Sequence, residues 1–477
     1  MQRLILQQLI EWKNSPHRKP LIMQGTRQVG KTWLLKELGT HYYENLAYFN
    51  FDENPEYRQF FTTTKNPARI LENLMLAGSC KIAPARTLVV FDEVQDCPEV
   101  INSLKYFYEN APEYHIACAG SLLGLTLARP SSFPVGKVNF MKVYPMTFTE
   151  FLLANGDEQL VRALDAITSD VARAYSSAIS PAAAPAPTPA PATALAPALA
   201  PALPPIPDAF LNPLCEKLKM YYLTGGMPEA VLMWTTYKDI AATERVLQDI
   251  IRAYEHDFAK HPKPNQIPKI SLIWKSLPSQ LARENKKFLY NVVKPGARAR
   301  EYEDALQWLV DAQLVHKVYR VRAPKIPLSA YDDLSAFKIY ASDVGILRAL
   351  SQLSPQAFTE GSRLFTEFKG ALSENFVAQS LIALYEPRLH YWSQTNPPYE
   401  VDFLIQDENE IIPIEVKSSL NTQSKSLKKF KERFAESTPL RIRYSLNNLS
   451  LDGDILNIPL VMVDHTKRLV EALRKKD

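Results

Sequence analysis

Residues 24–35 read QGTRQVGKTWLL, and within them GTRQVGKT, residues 25–32, fits the pattern G-x-x-x-x-G-K-[ST]. The flanks give the pattern its setting. Before it, KPLIMQ is a short apolar run suited to a buried parallel strand; after it, KTWLLKELG has helical spacing that ends at Gly39. In a strand, loop, helix sequence, Gly25 and Gly30 let the backbone curl around Thr26 so that the N–H groups of Arg27, Gln28, Val29, Gly30, Lys31 and Thr32 converge on phosphate oxygens. Lys31 is then placed to reach the β- and γ-phosphates, and the Thr32 hydroxyl to bind a bridging Mg²⁺. The expectation is an α/β fold built on a parallel sheet, with ATP and Mg²⁺ as its ligands.

Such a site needs a second strand ending in a carboxylate. RTLVVFDEVQD (86–96) supplies four apolar residues, Leu88 to Phe91, followed by Asp92 and Glu93. Asp92 is placed to hold the Mg²⁺ and Glu93 to polarise the attacking water as general base. A third apolar run, YHIACAGSLLG (114–124), turns at Gly120–Ser121. A parallel sheet puts Ser121 at the carboxyl edge, where it either senses the γ-phosphate or the water or simply caps the following helix.

The chain has 477 residues, enough for two or three domains of ordinary size. Its 55 basic and 51 acidic side chains leave a formal charge of +4, too small to argue for nucleic acid by itself. Cys80, Cys97, Cys118 and Cys215 are scattered, which indicates neither a disulfide framework nor a zinc site. His256 and His261 lie five apart, off the spacing that puts two ligands on one helix face. MQRLILQQLIEWKNSPHRKP reads as a short charged amphipathic helix without signal-peptide character, and no charge-free apolar run approaches membrane-spanning length. A cytoplasmic protein with no membrane partner is expected.

SPAAAPAPTPAPATALAPALAPALPPIPDA, residues 180–209, has a proline every two to six positions, which prevents a continuing helix and favours a semi-rigid extended spacer. It separates a nucleotide-binding domain over 1–155, with a helical tail and linker over 156–212, from two further segments. Over 213–330 the patterns are helical. IPKISLIWKSLPSQLAREN and ARAREYEDALQWLVDAQLV read as amphipathic helices and HKVYRVRAP (316–324) as a short strand, the order of a winged-helix module in which Arg298, Arg300 and Lys317 could meet phosphates. Over 331–477, LSENFVAQSL carries Glu374 on a helix, YEVDFLI carries Asp402 on a strand, and IIPIEVKSS carries Glu415 and Lys417 two apart on one strand face. Carboxylates that hold a metal, with a lysine to steady a phosphoryl charge, are what a Mg²⁺-dependent phosphodiesterase needs; ordinary half-buried strands with outward charges show the same alternation.

In combination, the loop with Arg27–Gln28 before Val29-Gly30-Lys31-Thr32, FDEVQ, the AGS turn, VYPMTFTEFL (143–152) and MYYLTGGMPEAV (220–231) resemble the prokaryotic AAA-type ATPases that carry a C-terminal domain of unknown function. The Glu374, Asp402, Glu415 and Lys417 arrangement is similar to the PD-(D/E)XK nuclease-like core, and its stretch to the C-terminal domain of that same family. The chain departs from the family at Gly136-Lys137, where members commonly have Gly-Arg. Lys137 offers a point charge without the bidentate fork of arginine, and Arg129 is the alternative finger. The resemblance implies an ATPase that drives or gates a C-terminal winged-helix and nuclease-like part. An ATP-regulated nuclease and a non-enzymatic ATP-dependent switch that holds protein or nucleic acid stay open beside it, as do the oligomeric state and the partner.

Overall fold

The computed structural model describes residues 2–120, 134, 136–179, 203–260, 262–283, 286–355, 363–385, 389–418 and 424–474. Ser121, Arg129 and residues 180–202 of the Ala/Pro stretch lie outside the described residues. The chain forms two compact units, each drawn from three stretches: Met1–Met146, Met227–Ser276 and Tyr290–His316 in the first, and Thr147–Gly226, Leu277–Leu289 and Lys317–Asp477 in the second. No helix among the described residues is long and apolar enough to cross a membrane. All four cysteines are free thiols.

The first unit contains a five-stranded sheet of β1 (Leu21–Gln24), β2 (Asn45–Asn50), β3 (Thr87–Asp92), β4 (His115–Ala119) and β5 (Asn139–Lys142), in the order β2-β3-β4-β1-β5. Every neighbouring pair is parallel. Strands covered on both faces should be apolar throughout, and all six residues of β3 and all five of β4 are buried. Leu9 from helix Ile5–Asn14 and Leu34, Leu35 and Leu38 from helix Lys31–Tyr42 build one face; Ile70, Leu74, Leu104 and Phe107 from helices Pro67–Gly78 and Pro98–Asn110 build the other. This is the α/β, doubly covered parallel sheet that the glycine loop predicts. The same unit includes helices Ile240–Lys260 and Ala299–Asp311 and most of Ile267–Leu281. Trp274 packs edge-on to Tyr254 at 6.0 Å and to Phe258 at 5.9 Å, and Phe258 to Trp308 at 5.5 Å.

The second unit is organised on a mixed eight-stranded sheet: β6 (Val315–Val321), β7 (Asp332–Ala341), β8 (His390–Gln394), β9 (Tyr399–Asp407), β10 (Glu410–Val416), β11 (Arg441–Ser445), β12 (Ser450–Asp452) and β13 (Ile455–Pro459), in the order β12-β13-β11-β10-β9-β8-β6-β7. β9 and β10 are antiparallel with Phe403 opposite Ile414, while β10 pairs β11 in parallel. Helix Arg363–Tyr385 packs on β7 and β10. Helix Lys425–Arg433 buries Leu427 and Phe430 against Trp392, Val401 and Leu404, and its lysines occupy the remaining face. Helix Phe148–Ala154 begins with a capping box in which Thr147 and Glu150 satisfy each other's backbone N–H. Leu203 and Ile206, read from sequence as the end of the spacer, are buried, and Asn448 hydrogen-bonds both the N–H and the carbonyl of Ile206. Two apolar side chains and a bidentate amide thus dock this end of the proline-rich stretch.

The Gly225-Gly226 turn is explained by one buried carboxylate. Asp343, fully buried, accepts from the Gly226 N–H at 2.6 Å and from the Ile346 N–H at 3.0 Å, the latter capping helix Val344–Leu350. Gly225 has φ +67°, and a Cβ there would lie 2.1 Å from the Asp343 Oδ1. Asp343→Ala strips the cap and leaves a buried N–H unpaired, an expected loss of about 2–4 kcal/mol. Thermal or urea unfolding checks this; a change under about 0.5 kcal/mol contradicts the assigned role.

Candidate functional site

Two glycines shape the loop after β1. A Cβ on Gly25 would come within 2.4 Å of the Val143 carbonyl oxygen, and Gly30 sits at φ +95°. Gln28 also has a positive φ, 64°, a conformation that costs a residue with a side chain of order 1–3 kcal/mol and persists only where its surroundings hold it. Arg3 supplies part of that hold. Its guanidinium, 5% exposed, donates to the carbonyls of Val29 at 3.0 Å and Tyr144 at 2.8 Å. A Val29 carbonyl committed to Arg3 does not point into the loop, where it would repel an anion.

The loop fits a phosphate on several independent counts. Helix Lys31–Tyr42 begins at Gly30 with no side-chain cap, so its first N–H groups await an acceptor. The Thr26 hydroxyl is buried without a hydrogen-bond partner. Lys31, itself buried, turns back to donate to the carbonyls of Gly25 and Thr26, each at 2.8 Å. Burial lowers its pKa to about 8; the nearby Glu93 and Asp92 carboxylates oppose that shift and Arg27 adds to it.

Asp92, at the carboxyl end of β3, brings the second half of the site. Its Oδ2 accepts from the Thr32 hydroxyl at 2.7 Å and from the Tyr48 hydroxyl at 2.8 Å, while Oδ1 accepts from the Glu93 N–H at 3.0 Å. Thr32 and Asp92, touching, form an oxygen pair of the kind that suits Mg²⁺. Glu93 has φ 53° and its Oε2 accepts from the Gln95 amide at 2.6 Å. The structure thus gathers Lys31, Thr32 and Asp92, with Glu93 next in chain. Lys137 pairs with Glu109 at 3.2 Å.

Five contributors escape sequence reading: Arg3, Tyr48, Gln95, Tyr254 and Asp257. Only Gln95 left a signal, two residues beyond Glu93. Asp257 pairs with Arg27 at 2.7 Å, and the Tyr254 hydroxyl donates to the Arg27 carbonyl at 3.1 Å, so two side chains of helix Ile240–Lys260 hold the phosphate loop.

In the second unit, of the four residues read as nuclease-like, Glu374 and Asp402 share Lys338 while Glu415 pairs with Lys417. Asp402 on β9 accepts from the Val416 N–H at 2.8 Å, and Glu415 on β10 pairs with Lys417 at 2.6 Å. Glu374 accepts from the Tyr340 hydroxyl at 2.5 Å and pairs with Lys286 and, at 3.4 Å, with Lys338. Lys338 also reaches Glu400 at 2.5 Å and Asp402 at 3.9 Å. Burial works against the Lys338 ammonium, but Glu374, Glu400 and Asp402 outweigh it and hold its pKa above the ordinary lysine value. Burial, then the Glu374 charge, hold Asp402 above the usual carboxylate range. Among the described residues no group of three or more His, Cys, Asp or Glu side chains is arranged to hold a metal ion. Glu400 was legible in principle, two residues before Asp402 on the same strand face; Lys338, in the apolar run AFKIYA, was not.

The Lys31 environment sets a pH dependence. A nucleoside triphosphate adds negative charge beside Lys31 and favours its ammonium, so binding above pH 8 takes up a proton. Affinity is expected to be level below about pH 7 and to fall by up to about tenfold per unit above pH 8. Calorimetric titrations in buffers of different ionisation enthalpy measure both effects; binding with no proton uptake at about pH 9 contradicts this account of Lys31.

Residues 17–152 match a family described as an AAA domain; residues 215–357 and 369–461 match two families described as domains of unknown function, DUF8612 and DUF4143. A Haemophilus influenzae protein described as uncharacterized is 26% identical over 174 residues, a match that spans 35% of this chain and 40% of that protein. Among solved structures, the chain is similar to a Walker-type ATPase of Pyrococcus abyssi, at 14% identity and TM-score 0.40, covering 72% of this chain and 94% of that one. It is also similar to a STAND signal-transduction ATPase with a tetratricopeptide repeat sensor from Pyrococcus horikoshii, at 11% identity and TM-score 0.26, covering 80% and 45%. The AAA match covers both the glycine loop and the Asp92–Glu93 strand, so the two halves of the site lie inside the stretch that resembles an AAA domain.

Proposed function

We propose that this chain binds ATP with Mg²⁺ at residues 25–32, hydrolyses it, and uses turnover to drive or gate its C-terminal part. The observation that carries the reading is Thr32 in contact with Asp92 beside a buried Lys31 whose hydrogen bonds, among the described residues, go to its own loop. On ATP binding, Lys31 leaves the Gly25 and Thr26 carbonyls for the β- and γ-phosphates, and the loop N–H groups take the remaining oxygens. Thr32 and Asp92 would hold Mg²⁺, which would screen the phosphate charge when bound. Glu93, steadied by Gln95, takes the proton from the attacking water. Ser121, two residues beyond the end of β4 in sequence, is assigned to sensing the γ-phosphate, and Arg129 or Lys137 to the finger.

Arg27 gives the gate a physical route. Any rearrangement of the loop around phosphate acts on the Asp257 and Tyr254 contacts and so on helix Ile240–Lys260, part of the segment (213–330) that we read as winged-helix-like. Segment 331–477 is read as nuclease-like in fold, on the strength of the Asp402 and Glu415-x-Lys417 hairpin, and as a holder of protein or nucleic acid. The same hairpin favours the second reading, an ATP-regulated nuclease. A near-neutral chain offers little of the field that tracks a phosphate backbone, and helix Lys425–Arg433, the strongest basic run, is anchored as an ordinary amphipathic helix.

Lys31→Ala is expected to abolish or greatly weaken ATP binding, and Glu93→Gln to leave binding near normal while slowing hydrolysis by roughly 10²–10⁴-fold. Unchanged turnover in Lys31→Ala removes the P-loop reading; lost binding with normal turnover per bound ATP removes Glu93 as base. For the gate, ATP should change amide exchange across 240–260 in the unaltered protein, and Asp257→Asn should blunt that response by about fivefold or more. An identical response in Asp257→Asn would place the route elsewhere.

A further inference from the structure

We infer that the acidic cluster of the second unit is closed around an internal cation, the Lys338 ammonium, which stands where a divalent metal would otherwise sit and makes the cluster an ion-pair lock instead of a hydrolytic centre. This deepens the reading of segment 331–477 as a holder, and its readout, metal binding without nucleotide, is independent of ATP turnover.

The geometry is that of a filled site. Lys338 is 0% exposed, and its ammonium lies 2.5 Å from Glu400, 3.4 Å from Glu374 and 3.9 Å from Asp402. The ring of Tyr391 lies 5.0 Å from the same nitrogen. Metal-assisted phosphodiester cleavage needs carboxylate oxygens about 2.1 Å from Mg²⁺ and an open position for the water it activates. Here the oxygens that would bind the metal are already engaged. Glu374 takes Lys286, Lys338 and the Tyr340 hydroxyl, and Asp402 spends its second oxygen on the Val416 N–H. A divalent ion entering this space meets an ammonium with no route to solvent.

Charge supports the assignment. Glu374, Glu400 and Asp402 face Lys286 and Lys338, so the group is one positive charge short of neutral without any metal. Lys338 is carried by β7, a strand of the sheet itself, and cannot withdraw as a mobile loop residue could. Glu415 is engaged outside this group, its Oε1 pairing with Lys417 at 2.6 Å.

The test is a Mn²⁺ titration of the full chain without nucleotide, by calorimetry and electron paramagnetic resonance, on the unaltered protein and on Lys338→Met, a substitution of similar length without the charge. Any weak Mn²⁺ binding at Thr32 and Asp92 is common to both and cancels. Lys338→Met is expected to gain one equivalent of bound Mn²⁺, to lose it again when Asp402→Asn is added, and to rise by roughly 5 °C in melting temperature at saturating Mn²⁺. The unaltered protein should show neither the gain nor the rise. Saturable Mn²⁺ binding to the unaltered protein that Asp402→Asn removes overturns the inference, and that measurement decides even if Lys338→Met does not fold. A folded Lys338→Met that gains no Mn²⁺ overturns it as well.

Discussion

A lysine taken out of water has to be answered by oxygen, and each unit of this chain is organised around that requirement. In the first, Lys31 hydrogen-bonds the neutral carbonyls of Gly25 and Thr26, and burial outweighs the nearby Glu93 and Asp92 charges and pulls its pKa down to about 8. In the second, Lys338 finds three carboxylates, and its pKa is raised. The same ammonium is under-neutralised in one place and fully neutralised in the other. An under-neutralised cation beside uncapped N–H groups draws in a polyanion; a neutralised one stiffens the strands and helix that carry its partners.

The nucleotide site was readable because its chemistry is contiguous. Gly25 to Thr32 form one run and Asp92–Glu93 another, and each brings its own strand, so local pattern alone puts both at the carboxyl edge of a parallel sheet. What escaped was contributed from far along the chain. Arg3 reaches Val29 across 26 positions, Tyr48 reaches Asp92 across 44, and Arg27 meets Asp257 across 230. No periodicity reports such pairs, because each side chain taken alone is ordinary for its helix or strand.

The acidic cluster was half legible for a different reason. Residue types were identified correctly as acids on a helix and on a hairpin, but a sequence does not say which cation they face. A lysine within a strand reads as solvent-facing, and Lys338 is instead the most enclosed charge of the group. The Gly225-Gly226 pair shows the converse case. The glycines mark a turn plainly, while the reason for the first of them, the carboxylate of Asp343 pressed against the Gly225 backbone, lies over a hundred residues away.

The first unit is assembled from three separated stretches, the last of them ending at His316. During synthesis at roughly 5–20 residues per second, the interval between Met146 and His316 lasts on the order of 10–30 s. For that time the sheet and its glycine loop exist without Asp257, Tyr254 and the tryptophans packed behind them. Asp257 and Tyr254 are therefore added only after the loop's own strand and helix have been synthesised, and a ribosome-bound chain stopped before residue 254 lacks both of the side chains that tether Arg27.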